Sequence, residues 1–124
     1  MESKICYVAG PYTAPDSLQI ESNILEAKFA VREVIDAGMI PLAPTLCTAR
    51  FDWYMPDVCA EWWYGATLEL LKRCDAIWLF GHWEKSVGAK LEVKYAFEHG
   101  MPIYEHGKQL DGPAWAALGM QILK

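Results

Sequence analysis

Short apolar runs that stop at glycine or proline alternate along this chain with longer amphipathic stretches, and that alternation narrows the fold more than any other feature. Residues 4–9, KICYVA, end at Gly10-Pro11, as expected of a strand buried on both faces. Residues 18–37 carry Ile24, Ala27, Val31, Val34 and Ile35 at helical spacing. Asp16 or Ser17 caps that helix at its start, and Gly38 stands where it ends. MIPLAP, residues 39–44, reads as a second strand that Pro41 confines to an edge or a terminal position. Residues 45–57 read as irregular and aromatic. A helix follows from about 58 to 73, with Lys72 and Arg73 at the end where the dipole favours cations. AIWLFG (76–81), GAKLEVKYAFEH (88–99), MPIY (101–104) and AWAALGMQIL (114–123) give a strand, a helix, a strand and a final helix. The order predicts a doubly wound α/β domain, a flavodoxin- or Rossmann-like three-layer sandwich. Its sheet has four or five mostly parallel strands.

All 124 residues fit one domain, 1–124, with 53% hydrophobic and 22% charged residues, which is a globular composition. A net charge of −5 argues against a nucleic-acid polymer as partner, since phosphate backbones need clustered Lys and Arg. A small anionic ligand needs only a local group of donors. No apolar stretch approaches the ~20 residues that span a bilayer, and the opening segment is too short and too interrupted for an export signal. Cys6, Cys47, Cys59 and Cys74 are far apart with no CxxC, and His82, His99 and His106 make no ligand spacing with them. A cytoplasmic protein with reduced thiols, no metal and no membrane partner is the expectation.

In doubly wound sheets ligands bind beyond the carboxyl ends of the strands, which directs attention to AGPYTAPDS and GHWEKSVGA. Neither contains GxGxxG or GxxxxGK[ST], so dinucleotide and P-loop binding are poorly supported. Gly10 permits close approach of a ligand, and Tyr12 and Thr13 supply hydroxyls; an ordinary strand-to-helix turn explains the same residues. Asp75, in the KRCDA turn, reads as structural, tying up turn amides. Of Trp53, Trp62, Trp63, Trp78 and Trp83, core packing or a subunit interface accounts for most.

Glu92 stands out by geometry. On a helical wheel Lys90, Lys94 and Glu98 share one face, and Glu92 lies roughly 160° from its centre. Its neighbours three and four positions away are Gly88, Ala89, Tyr95 and Ala96, so its own helix offers no basic partner. An inward carboxylate among small residues is costly unless something bonds or uses it. One reading is an anion welcomed by the helix dipole. The favoured reading is that Gly88 and Ala89 are small because a ligand crosses them and Glu92 points into its cleft. Ser86, at the helix start, serves either as N-cap or as part of an anion site.

The AGPYT start and the pattern CDA…S.GA..E…A…G.P resemble the nucleoside 2-deoxyribosyltransferase-like superfamily, which includes nucleoside 5′-monophosphate N-glycosidases. The resemblance runs from about residue 4 to 104. It implies Glu92 as the nucleophile at the anomeric carbon and Tyr7 as its hydrogen-bond donor. Gly10, with Pro11 and Tyr12 beside it, would lie next to the sugar, Ser86 at a phosphate and Gly88 along the ligand. At Ser86 the sequence sides with the hydrolases, since the transferases carry an aspartate there. Thr67 stands where many relatives carry an aspartate near the leaving base, and Pro11 and Thr13 replace Ser and Arg donors of the hydrolases. The function implied is cleavage or transfer of an N-glycosidic bond, without cofactor, in a homo-oligomer (dimer or tetramer). A non-catalytic module that binds a nucleotide-derived ligand is the alternative.

Overall fold

The first apolar run pairs on both sides. In the computed structural model, which describes residues 3–49 and 51–122, β1 (Ile5–Ala9) lies between β2 (Ile40–Leu42) and β3 (Ala76–Leu79). β4 (Ile103–Glu105) extends the sheet beside β3, giving the order β2-β1-β3-β4-β5, in which β5 (Lys108–Gln109) is antiparallel and the rest are parallel. The sheet is therefore five-stranded, mostly parallel, and flanked by helices on both faces. As expected of a strand bearing Pro41, β2 is an edge.

Strand periodicity assigns each residue to a layer. Cys6 and Val8 of β1 and Ala76 and Trp78 of β3 pack with Ala27, Ala30 and Val34 of α1 (Ser17–Asp36). Tyr7 and Ala9, with Ile77 and Leu79, face the other way. There they meet Leu71 of α4 (Ala60–Leu71), Ala89, Val93 and Ala96 of α5 (Val87–Glu98), and Leu118 of α6 (Gly112–Ile122). Both faces are filled, as near-continuous apolar strands require. Asp75 ties the strand starts together: its carboxylate accepts from Ile5 N at 2.8 Å and its own N–H donates to Ile5 O at 2.8 Å. The aspartate is structural as expected, but its partner is the first amide of β1 and not the turn.

Three expectations are corrected. Asp16 caps α1 by accepting from Gln19 N at 2.8 Å, yet the buried stripe is Asn23, Ala27, Ala30 and Val34, while Ile35 is 52% exposed. Alanines bring the helix down onto a sheet face that carries the bulky Trp78 and Phe80, so the apolar face turns away from Ile35. Residues 45–57 contain two short helices, α2 (Pro44–Cys47), with proline in its first turn, and α3 (Phe51–Tyr54). The chain also returns after β4 through a two-residue hairpin in which His106 and Gly107 both have positive φ, 53° and 76°. The final helix spans 112–122; the expected last residue, Leu123, lies outside the described residues. Among the described residues, no helix is long and apolar enough to cross a membrane.

Candidate functional site

β1 and β3 are neighbours whose connections leave in opposite directions across the sheet, and the space beyond their carboxyl ends is where such a sheet receives ligands. A cavity of about 720 Å³ occupies that space. The loop after β1 (residues 10–15) forms one wall, the segment 85–89 with Glu92 another, and Phe51, Trp63 and Tyr64 an aromatic side. The volume falls within the ~300–1,000 Å³ typical of small-molecule sites.

Glu92 lies on the cavity lining and is 6% exposed. Ala89, Glu92, Val93 and Ala96 are the buried stripe of α5, at the three- and four-residue spacing of an inward helical face. Lys90, Lys94 and Glu98 are exposed on the opposite side. Because Tyr7 sits on the α5 side of β1, its hydroxyl reaches Glu92 and donates a buried hydrogen bond to Oε2. Thr67 of α4 completes the surroundings, its side chain within hydrogen-bonding reach of both Tyr7 and Glu92. Its single hydroxyl proton is shared between the Glu92 carboxyl and Tyr64 O, the latter at 3.2 Å.

Burial pushes the Glu92 carboxyl up to about 7, against the opposing pull of hydrogen bonds from Tyr7 and Thr67. Tyr7 is shifted upward as well, first by burial and then by the charge of Glu92, so its phenol remains a donor throughout the ordinary pH range. The result is a carboxyl poised between two protonation states near neutrality.

Other residues singled out in the sequence converge on the same cavity. Gly10, Pro11, Tyr12, Ser86 and Gly88 all line it. Ser86 is the N-cap of α5, its Oγ accepting from Ala89 N at 3.2 Å. The two glycines are small for reasons within the protein: a Cβ on Gly10 would come within 2.5 Å of the buried Phe80 ring, and one on Gly88 within 3.2 Å of the Tyr64 ring. Packing alone therefore requires the size of Gly10, whereas a Cβ at Gly88 needs the Tyr64 ring on the cavity lining to give by a few tenths of an ångström.

Asn23 is a further residue of the site, and its polar side chain in the inward stripe of α1 is the signal that marks it. It is 4% exposed, donates from Nδ2 to Tyr12 O at 3.0 Å and accepts from Gln19 Nε2 at 3.0 Å, pinning the first loop to α1. Lys85 and His82 also line the cavity, as does Glu26. Among the described residues, no group of three or more His, Cys, Asp or Glu side chains is placed to hold a metal ion.

The tryptophans divide between three environments. Trp78 stacks on Tyr104 at 4.9 Å in the core, and Trp83 Nε1 donates to Glu105 at 2.5 Å. Trp63 faces the cavity and contacts Phe51 edge-on at 6.3 Å. Trp53 and Trp62 are exposed. No curated protein matches the chain. Residues 4–106 match the model of a protein family described as a domain of unknown function, DUF7768, and the chain belongs to that family.

Proposed function

We propose that this domain cleaves or transfers the N-glycosidic bond of a nucleoside or nucleoside 5′-monophosphate, with Glu92 as nucleophile. The observation that carries the reading is a buried carboxyl on the lining of a nucleotide-sized cavity, held by the Tyr7 hydroxyl at the switch point of the sheet. Ionised Glu92 attacks the anomeric carbon through one carboxylate oxygen. The carbon–nitrogen bond breaks and its electron pair leaves with the base, which takes a proton from solvent. Water, or a second base, then displaces the carboxylate from the sugar and regenerates Glu92. Tyr7 supports the ionised form before attack and the departing carboxylate after it. The setting proposed is cytoplasmic, where the four cysteines stay reduced. A homo-oligomer is part of the reading.

A second reading is a module that binds a nucleotide-derived ligand without turnover. The residue that favours it is Thr67, which brings a hydroxyl rather than a second carboxyl to the side of Glu92. Incubation with nucleosides, nucleoside monophosphates and dinucleotides, with free base followed by chromatography, separates the two. Release by the wild type and none by Glu92→Ala supports the enzyme. Binding without release supports the module, and release that survives in Glu92→Ala removes Glu92 from the mechanism.

A further inference from the structure

The buried carboxyl of the cavity is held by neutral groups. Its hydrogen-bond partners are the Tyr7 phenol and the Thr67 hydroxyl, and among the described residues Glu92 enters no ion pair with Lys, Arg or His. A buried carboxylate without a positive partner is a costly charge, and a cationic ligand offsets it. The lining next to it is aromatic. Trp63 and Tyr64 precede Thr67 by four and three residues on α4, so the helix face that brings Thr67 to Glu92 brings two rings beside it. The Tyr64 ring lies against Gly88, one turn before Glu92, where a Cβ would stand 3.2 Å from it. Trp63 meets Phe51 edge-on at 6.3 Å and Trp62 at 5.0 Å, which fixes it in the same wall. Aromatic faces next to a carboxylate suit a flat cation. Among the described residues, Glu26 and Glu92 are the acidic side chains of the lining, and Glu26 stands on α1, across the sheet from α4. The aromatic wall therefore offers hydroxyls, and no carboxylic acid that could protonate a departing base.

We propose that the ring received by this wall carries a fixed positive charge, so that the substrate is a cationic nucleoside, an N-glycosyl pyridinium or an N-alkylated purine nucleoside. The inference rests on the N-glycosidic reading and names its leaving group. Glu92 bonds to the anomeric carbon as the carbon–nitrogen bond breaks. The electron pair of that bond cancels the charge of the ring, which leaves neutral and needs no proton. Water then bonds to the anomeric carbon, the ester bond breaks with its electron pair returning to Glu92, and the proton of the water passes to solvent. A neutral nucleobase departs with a negative charge unless an acid protonates it, and the aromatic wall holds none. Before attack the cation pairs with the ionised carboxylate and stacks on Trp63 and Tyr64. His82 and Lys85, the cationic residue types of the lining, are exposed, so solvent screens them from the ring.

The test follows ring release by chromatography from nicotinamide riboside, 7-methylguanosine and the neutral nucleosides guanosine, adenosine, cytidine and uridine, with each rate divided by the rate without enzyme. In parallel, ligand-observed NMR measures binding of 1-methylnicotinamide and nicotinamide, two rings that differ in charge and carry no bond to cleave. The full chain is compared with Trp63→Leu, Trp63→Tyr and Glu92→Gln above pH 7. One of the cationic nucleosides should exceed every neutral one at least about tenfold in kcat/KM, and 1-methylnicotinamide should bind at least about fivefold more tightly than nicotinamide. Trp63→Leu and Glu92→Gln each bring that binding ratio toward one, and Trp63→Tyr keeps most of it. The faster of the two cationic nucleosides decides between a pyridinium and an alkylated purine. Glu92-dependent release from neutral nucleosides at an equal or higher rate overturns the inference and leaves the glycosidic reading standing. A charge preference that neither Trp63→Leu nor Glu92→Gln moves overturns the inference as well. Selective binding of the cationic ring without release from any compound removes the glycosidic reading and keeps the cation site, and neither binding nor release overturns both.

Discussion

A single carboxyl carries most of the chemistry proposed for this molecule, and its pH behaviour makes the proposal testable. Glu92 is held at about 7 when folded against 4.5 for a free glutamate, so between those values the folded state binds the extra proton. Stability from this group is therefore full below about 4.5 and falls as pH rises through 7, by roughly 2–4 kcal/mol. Glu92→Gln should match the wild type near pH 4 and exceed it at pH 8 in urea unfolding; a difference that does not change with pH contradicts the assignment. Base release should follow the opposite course, rising through pH 7 as the nucleophile ionises. Tyr7→Phe removes a donor to the charged form, so its rising limb should move to higher pH and its rate at neutrality should fall at least about tenfold. The buried thiols Cys6 and Cys74 are pushed up by burial to about 12 and about 11, whereas Cys47 and Cys59 are exposed. A thiol reagent should modify two cysteines quickly in the native protein and the other two only on unfolding.

At the scale of elements, α5 is the part most fully legible in the sequence. The wheel turned Glu92 inward and Lys90, Lys94 and Glu98 outward, and Ser86 at its start is the cap in fact. Removing that cap with Ser86→Ala should lower stability by about 1 kcal/mol in denaturant unfolding. What composition along one element does not carry is the identity of the neighbour across the sheet. Gly10 read as room for a ligand, but Phe80, remote in sequence, fills the space above it. Gly10→Ala should cost about 1–3 kcal/mol by overpacking, measured the same way, even without any ligand. Asn23 is hidden for a related reason: a helical stripe is read from its apolar residues, and a polar member does not register in it. The hairpin to β5 rested on His106-Gly107, a two-residue turn whose first residue seldom takes positive φ.

For the whole molecule, the strand order places the site where two connections diverge, and alternation of short strands with helices was enough to anticipate that architecture. The cavity itself was not legible, because it is bounded by segments far apart in sequence: the first loop, the aromatic stretch with α4, and α5. Trp53, Tyr54 and Trp62 are 80%, 74% and 57% exposed, a large apolar surface for a domain of this size. The homo-oligomer reading seats a second copy there. Light scattering should find a dimer or tetramer, and Trp53→Ser with Trp62→Ser should yield a folded monomer; an oligomer unchanged by both substitutions moves the interface elsewhere. The central claim is that Glu92 bonds to the sugar. Peptide mass spectrometry on protein quenched with acid during turnover tests it most directly. The account predicts a pentosyl or pentosyl-phosphate ester on the peptide containing Glu92, absent from Glu92→Ala. An ester on a different residue, together with undiminished base release by Glu92→Ala, would contradict it.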